Sequence, residues 1–249
     1  MAQQKGIIKL KGTIGDITFY KTKDGHLAKA KTSLDGSRIA TDPNFALTRQ
    51  NGTEFGEAAK CGKVMRRSIN SLLTHAHDNH VTSRLTKQML KIVKLDATSL
   101  RGFRTVGTAI SLPSAVTLLK NFNFNIKSLL GDVLKANYTL NTTTGVITIA
   151  NIVPINDVYA PVGATHVSFI GGWAKVDFPN KAFTTDFTNT VNLPIDGTSS
   201  TVILTPTAVP TGTGTNVFVL EVQFFQLVNG AQYSMKNNSY NALGIIQVI

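Results

Sequence analysis

From about residue 136 onward the chain is a succession of apolar and β-branched runs separated by turn residues, and none of the intervening stretches has the periodicity of a helix. The runs are "GVITIANIV", "ATHVSFIGGWAKVDF", "KAFTTDFTNTVNLPI", "STVILTPTAV", "NVFVLEVQFFQLVNGAQYSM" and a terminal "NALGIIQVI". Strands that follow one another in this way bury their apolar sides by pairing antiparallel and then stacking as a sandwich or closing as a barrel. Asn229-Gly230 is a hairpin signal, because both central residues of a type I′ turn need positive φ. Within residues 217–228, Phe218, Leu220, Val222 and Phe224 fall on one face. Val217, Val219, Glu221, Gln223 and Phe225 fall on the other, and this second row is apolar enough to need partial cover from a sheet edge, from helices or from another subunit.

The first part of the chain has a different character. Residues 1–110 hold 19 Lys and Arg against 8 Asp and Glu, whereas residues 111–249 hold 6 of each. The whole net charge of +11 therefore lies in the N-terminal part. That distribution suits a polyanion or an acidic partner surface, and it also suits a solvated basic face that keeps the chain in solution. Residues 7–11 read as a first strand, with Gly12 and Gly15 bracketing a turn. Residues 16–21 and 26–31 read as a hairpin closed by Asp24-Gly25 in a type I′ turn. In that register Phe19 faces Ala30 and Tyr20 faces Lys29. Ile17, Phe19, Ala28 and Ala30 share an inner face, while Tyr20, Lys29 and Lys31 share the other. An aromatic ring among lysines can stack a base beside a phosphate backbone, and it is equally the pattern of an edge strand guarded by lysine.

A helix is expected to open at Asp42-Pro43, with Asp as N-cap and Pro in the first turn, and to kink or restart at Asn51-Gly52 with Thr53 as a new cap. Phe55, Ala58, Ala59, Gly62, Met65, Ile69, Leu72 and Leu73 form its apolar stripe, and Arg49, Lys60, Lys63 and Arg67 cluster on another sector. The small residues Gly52, Gly56, Ala59 and Gly62 allow a second backbone to come close. A second helix is expected over residues 80–96, capped by Asp78 or Asn79, with Leu85, Met89, Ile92 and Val93 inside and Arg84, Lys87, Lys91 and Lys94 opposite. The short connection makes the pair an antiparallel hairpin with two basic stripes. Residues 97–115 read as a connector. The expected class is α+β: a basic hairpin-and-helix unit over 1–110, then an antiparallel β-sandwich over 111–249, Ig-like or jelly-roll-like.

Chemistry is sparse. "HAHDNH" brings His75, His77, Asp78 and His80 within six residues, donors that suit zinc, nickel or copper if a loop gathers them; polar residues joining two helices more commonly form a solvated turn. Cys61 is the only cysteine, which excludes an internal disulfide and a thiolate zinc cluster. It lies beside basic residues but within no catalytic signature. The carboxylates of the C-terminal part, Asp132, Asp157, Asp177, Asp186, Asp196 and Glu221, form no acid–base pair in sequence. Gly171-Gly172 reads as a bulge or bend beside Trp173, and no phosphate-binding loop or nucleophile motif is present. The N-terminus lacks the apolar core of a secretory signal and no apolar run approaches bilayer length, so synthesis in the cytosol without a membrane span is expected, and no cofactor is implied.

At "GTIGDITFYKTKDGHLAKAK", at "RIATDPNFALTRQNGTEFGEAAKCGK" and at "YSMKNNSYNALGIIQV" the chain resembles an uncharacterised family common in Bacteroidetes-type bacteria. The resemblance covers roughly the first 70 and last 15 residues and implies one standardised end and one variable, β-rich end. It implies no activity. Three roles remain open on the sequence. The first is a non-enzymatic, self-assembling structural subunit, whose N-terminal hairpin packs its Phe19 face on the helices and turns its lysine face or edge to a partner. The second is sequence-tolerant nucleic-acid binding through Arg49, Lys60, Lys63, Arg67, Arg84, Lys87, Lys91 and Lys94. The third is a β-sandwich binding module with Trp173 and Tyr159 as a platform.

Overall fold

The computed structural model describes residues 2–31, 36–235 and 239–249. By its internal contacts the chain forms two compact units, Met1–Gln50 and Asn51–Ile249. In the first unit, β1 (Ala2–Gln3), β2 (Gly12–Ile14), β3 (Ile17–Thr22) and β4 (Gly25–Ala30) form an antiparallel sheet in the order β1-β4-β3-β2. The strand expected at residues 7–11 lies instead at 12–14, where it pairs with β3 across the Gly15-Asp16 turn; Ile7 and Ile8 are left exposed. The β3–β4 register also differs. Phe19 pairs with Ala28 and Tyr20 with Leu27, because the loop residues are Lys23 and Asp24. Gly25, at φ 117, carries the positive angle one position later than a type I′ turn requires, and the Thr22 hydroxyl accepts from the Asp24 amide and donates to the Gly25 carbonyl. The slip amounts to two residues across the ladder, so the faces survive: Ile14, Ile17, Phe19, Ala28 and Ala30 share one, Tyr20 and Lys29 the other.

After α1 (Gly36–Thr41), Asp42 caps a 3-10 turn at Pro43–Phe45 by accepting from the Asn44 amide, and α2 (Ala46–Ser68) follows directly. Asn51-Gly52 neither kinks nor restarts α2. Gly52 is exposed, so it costs only the intrinsic helix penalty of about 1 kcal/mol, which a helix this long absorbs. Ile69, at φ −118 and ψ 25, breaks the run before α3 (Asn70–Leu73). The second long helix, α4 (Val81–Val93), has His80 at its N-cap position, while the side chain of Asp78 accepts from the His80 amide. A Cβ added at Gly62 would lie 3.7 Å from the Thr86 nitrogen, so α2 and α4 run close there. Four short helices follow: α5 (Val106–Ala109), α6 (Pro113–Leu119), α7 (Leu130–Val133) and, beyond the first two strands of the C-terminal part, α8 (Pro154–Asp157).

Those two strands are β5 (Thr139–Leu140) and β6 (Ile147–Ile152). The rest are β7 (His166–Asp177), β8 (Ala182–Phe187), β9 (Val191–Pro194), β10 (Ser200–Leu204), β11 (Thr215–Val228), β12 (Ala231–Ser234) and β13 (Ala242–Val248). β11 is the axis of a six-stranded antiparallel sheet, paired along its length with β7 and on its other side with β12 and β13, while β7 pairs in turn with β8 and β9. A three-stranded sheet runs β10-β6-β5. Gly171-Gly172 is not a bulge against β11, since Leu220 pairs with Gly171 and Val219 with Gly172 in unbroken register. The glycines stand where the outer partner of β7 changes from β9 to β8. A Cβ would meet Ile147 at 2.8 Å from Gly171 and Val219 at 2.9 Å from Gly172, so neither position has room for a side chain.

The two faces of the large sheet bury different things. Phe218, Leu220, Val222 and Phe224 share a core with Ile147, Ile149 and Ile152 of β6, Val202 and Leu204 of β10, and Trp173. Val217 and Val219 share the other core with Met65, Leu85, Met89 and Ile92 from the long helices and Phe124 from the segment after α6. The helices are thus what covers the second apolar row of β11. The boundary expected near residue 110 is not where the compact units divide: buried residues of α2 and α4 share one core with Val217 and Val219 of the sheet. Phe55 is an exception to its stripe and stands 55% exposed. Leu85→Ala is expected to cost about 2–5 kcal/mol, and Trp173 fluorescence, which reports the far core, should shift with far-ultraviolet helix dichroism as one transition. A Trp173 transition that stays in place while the helices melt earlier would show two independent cores.

Candidate functional site

The residues between α3 and α4 were the metal candidates, and the structure gives them separate tasks. Asp78 is buried. Its Oδ1 accepts from the His80 amide at 2.6 Å, and its Oδ2 accepts from the Ile126 amide at 3.0 Å and from Arg84 Nη2. Burial opposes ionisation of this carboxyl, but the Ile126 amide, Arg84 and the His80 amide outweigh it and hold Asp78 below the usual carboxylate range. His77 Nδ1 lies 2.7 Å from the Leu73 carbonyl, and His75 Nδ1 lies 3.0 Å from Gln223 Nε2. Among the described residues no three His, Cys, Asp or Glu side chains gather as a metal would require. The loop joins α4 to the segment 121–126 rather than collecting ligands.

Arg84 is the other half of that joint. Its Nη2 also donates to the carbonyls of Asn123 (2.9 Å) and Phe124 (3.1 Å), and the guanidinium stands 5.1 Å from the Phe122 ring centroid. Arg49 Nη1 likewise donates to the Ile39 and Asp42 carbonyls at 2.8 and 2.9 Å. Two of the eight cations read as a polyanion surface are therefore committed to holding backbone. Lys60, Lys63 and Arg67 on α2, Lys87 and Lys91 on α4, and Lys94 at its C-terminus are exposed. The hairpin residues behave as a pair of faces: Lys29 Nζ stands 5.8 Å from the Tyr20 ring, and Lys31, just past β4, donates its amide to the Asp16 carbonyl.

Several further groups carry local roles. Asp157, Asp177, Asp186 and Asp196 each accept from a nearby backbone amide, those of Val153, Asn180, Ala208 and Thr198. Trp173 is 4% exposed, donates Nε1 to Asn216 Oδ1 at 3.0 Å and lies on Phe218, which places it in the core; Tyr159 is 75% exposed. Cys61 is fully buried, and burial first of all pushes its thiol up to about 12. Lys181, at φ 58 in the β7–β8 turn, places Nζ 3.2 Å from that sulfur, 2.5 Å from Glu57 Oε1 and 2.6 Å from the Phe178 carbonyl. Sequence reasoning missed this link because its members are 120 residues apart.

It also missed an open groove of about 510 Å³ between α4 and the residues that follow α6, lined by Lys87 and Lys91 together with Lys120 and Asn121. The only sequence signal for it was a lysine in "LLKNFNFN", a segment whose class the periodicity left undecided. A second missed feature is Glu221, at 0% exposure on the helix-facing row of β11. Neither of its oxygens makes a hydrogen bond, and the nearest cationic candidate is His75 Nδ1, 3.8 Å from Oε1. Burial pushes this carboxyl up to about 8, opposed only in part by the side chain of Gln223, which stands near it without the geometry of a full hydrogen bond.

A folded pKa raised in this way favours the protonated acid, so what Glu221 contributes is fully present below about 4.5 and is lost as pH rises through about 8. Glu221→Gln should leave stability nearly unchanged at acid pH. Relative to the parent it should gain roughly 1–3 kcal/mol between those limits and level off above them, in urea unfolding at a series of pH values. A gain independent of pH would place the carboxyl outside this account.

No protein-family model, curated protein or solved structure matches the chain, so its role is argued from the molecule itself.

Proposed function

We propose that the protein is a non-enzymatic, self-assembling structural subunit, a building block of a filament, tube or phage-like particle that docks through its N-terminal unit. One observation carries this reading. Among the described residues of Met1–Gln50 no side chain is buried, although the sheet has a distinctly apolar face. On that face Ile14 is 63% and Ile17 47% exposed, next to the half-buried Phe19. A unit of this size without a core gains its stability from a surface that covers it. The sheet also ends in a three-residue edge strand, β2, whose free backbone groups suit strand addition by a partner.

A receiving surface of the same chemistry exists on the second unit. Leu100 and Phe103 are 79% and 75% exposed, in a loop held to α2 by the bond from the Gly102 amide to Glu54, the neighbour of exposed Phe55. An apolar face on one unit and an apolar patch on the other define a heterologous contact. Repeated from copy to copy, such a contact yields a ring or an open polymer. This apolar pairing needs no acidic receiving surface, and the C-terminal part, with six Lys and Arg against six Asp and Glu, has no excess of acid to offer one. The two sheets that share the Trp173 core are read as the sandwich of an Ig-like or jelly-roll-like module, the kind of rigid block on which docking elements are carried. No helix among the described residues is long and apolar enough to cross a membrane.

Light scattering coupled to size exclusion, at low and high salt, tests the reading. The parent should run as a large species with a protein-like ratio of absorbance at 260 and 280 nm, and Ile17→Glu or Phe103→Glu alone should each leave monomer. An equimolar mixture of the two variants should restore a dimer, because one intact face and one intact patch remain. A monomeric parent, or variants that assemble normally, would refute it.

A further inference from the structure

The groove beside α4 concentrates positive charge, and no carboxylate is among the residues that line it. Lys87 and Lys91 are one turn apart on α4, and Lys120 closes the opposite side from the C-terminal end of α6. None of the three takes part in a salt bridge among the described residues, and no carboxylate lines the groove. Asp78, which could have offset them, is occupied by Arg84. Arg84 and Gln88 also line the groove, with Arg84 Nε and Gln88 Oε1 buried and without a hydrogen-bond partner. Asn121, exposed and at φ 65, completes the wall. Holding three like charges around one concavity is unfavourable in the absence of a counter-charge, and the guanidinium of Arg84, whose Nε is unpaired, adds a further cation to the lining.

We propose that this groove is a binding site for phosphoryl groups, with Lys87, Lys91 and Lys120 as the charge-bearing contacts and the side-chain amide nitrogens of Asn121 and Gln88 as polar donors. Ammonium groups on flexible stems suit the spread of charge over phosphoryl oxygens, and a groove of this volume takes either a small polyphosphate or a segment of phosphodiester backbone. Phosphoryl recognition of this kind reads no base and is strongly salt-dependent. Arg84 is a positioning residue here: its bonds to Asn123 and Phe124 set the wall on which Lys120 and Asn121 are carried. The site stands independently of the assembly reading, since it lies wholly within the second unit and uses none of the apolar docking residues.

The test compares the parent protein with Lys87→Gln/Lys91→Gln/Lys120→Gln, and with Lys60→Gln/Lys63→Gln/Arg67→Gln as an equal loss of charge on α2. Tripolyphosphate is titrated calorimetrically, and a short fluorescent oligothymidylate by anisotropy across a salt series. Thermal melting and light scattering on the same samples separate lost folding or lost assembly from lost binding. The groove variant should bind at least about tenfold more weakly, while the α2 variant stays within about twofold. If the oligonucleotide is the better ligand, its log–log salt slope should fall by about two in the groove variant, three contacts at roughly 0.7 each. Binding of tripolyphosphate alone identifies a small phosphorylated ligand as the source, and preference for the oligonucleotide identifies a nucleic-acid backbone; both support the site. No saturable binding of either probe, or equal weakening by both variants, overturns it and leaves a solvated basic face.

Discussion

The second unit depends on one strand having apolar side chains on both of its faces. β11 supplies Phe218, Leu220, Val222 and Phe224 to one core and Val217 and Val219 to the other, so removing it would unmake both at once. A strand of this kind is buried on two sides and can no longer alternate between core and solvent. What alternates instead is the kind of cover, a small sheet on one side and a helical hairpin on the other. Glu221 interrupts the helix-facing row, and its cost is a consequence of the same arrangement: the position is covered because its neighbours must be.

Much of this was legible beforehand, and the reasons are local. The runs that became β6, β7, β10, β11 and β13 are separated by turn residues and carry β-branched side chains. The stripes of α2 and α4 repeat at helical spacing, and Asp42-Pro43 opens a helical segment through a bond between residues two apart. The division of the hairpin into two faces survives, because a two-residue slip preserves the alternation even though the turn moved from Asp24-Gly25 to Lys23-Asp24, but the face of Ile17, Phe19, Ala28 and Ala30, expected to lie inside against the helices, has Ile17 and Ala30 exposed and none of its residues buried. Local features of this kind need only the chain to know its own neighbours.

Several misreadings are of groups whose partners the tertiary fold supplies. Arg84 reads as one more exposed cation until the carbonyls of Asn123 and Phe124 are beside it, and nothing in its own helix distinguishes it from Lys87. His75 and His77 are by spacing candidates either for a metal or for a solvated turn, and the structure sets their ring nitrogens beside Gln223 and the Leu73 carbonyl. Phe55 fits an apolar stripe by spacing but lies where α2 has no cover. The groove is the converse case: Lys120 is an isolated lysine in sequence and becomes part of a site only when α6 brings it opposite α4. Periodicity assigns a side to a residue; it does not say what the tertiary fold will place there.

The link among Lys181, Glu57 and Cys61 has a consequence for how motion in the molecule can be followed. The lysine belongs to the β7–β8 turn and the other two residues to α2, so the ammonium group is one of the groups that cover the buried sulfur. A thiol reagent must wait for that cover to open before it can react. Because the chain has a single cysteine, the rate of its alkylation becomes a clock for how often the packing around α2 opens, with no residue substituted to introduce a probe.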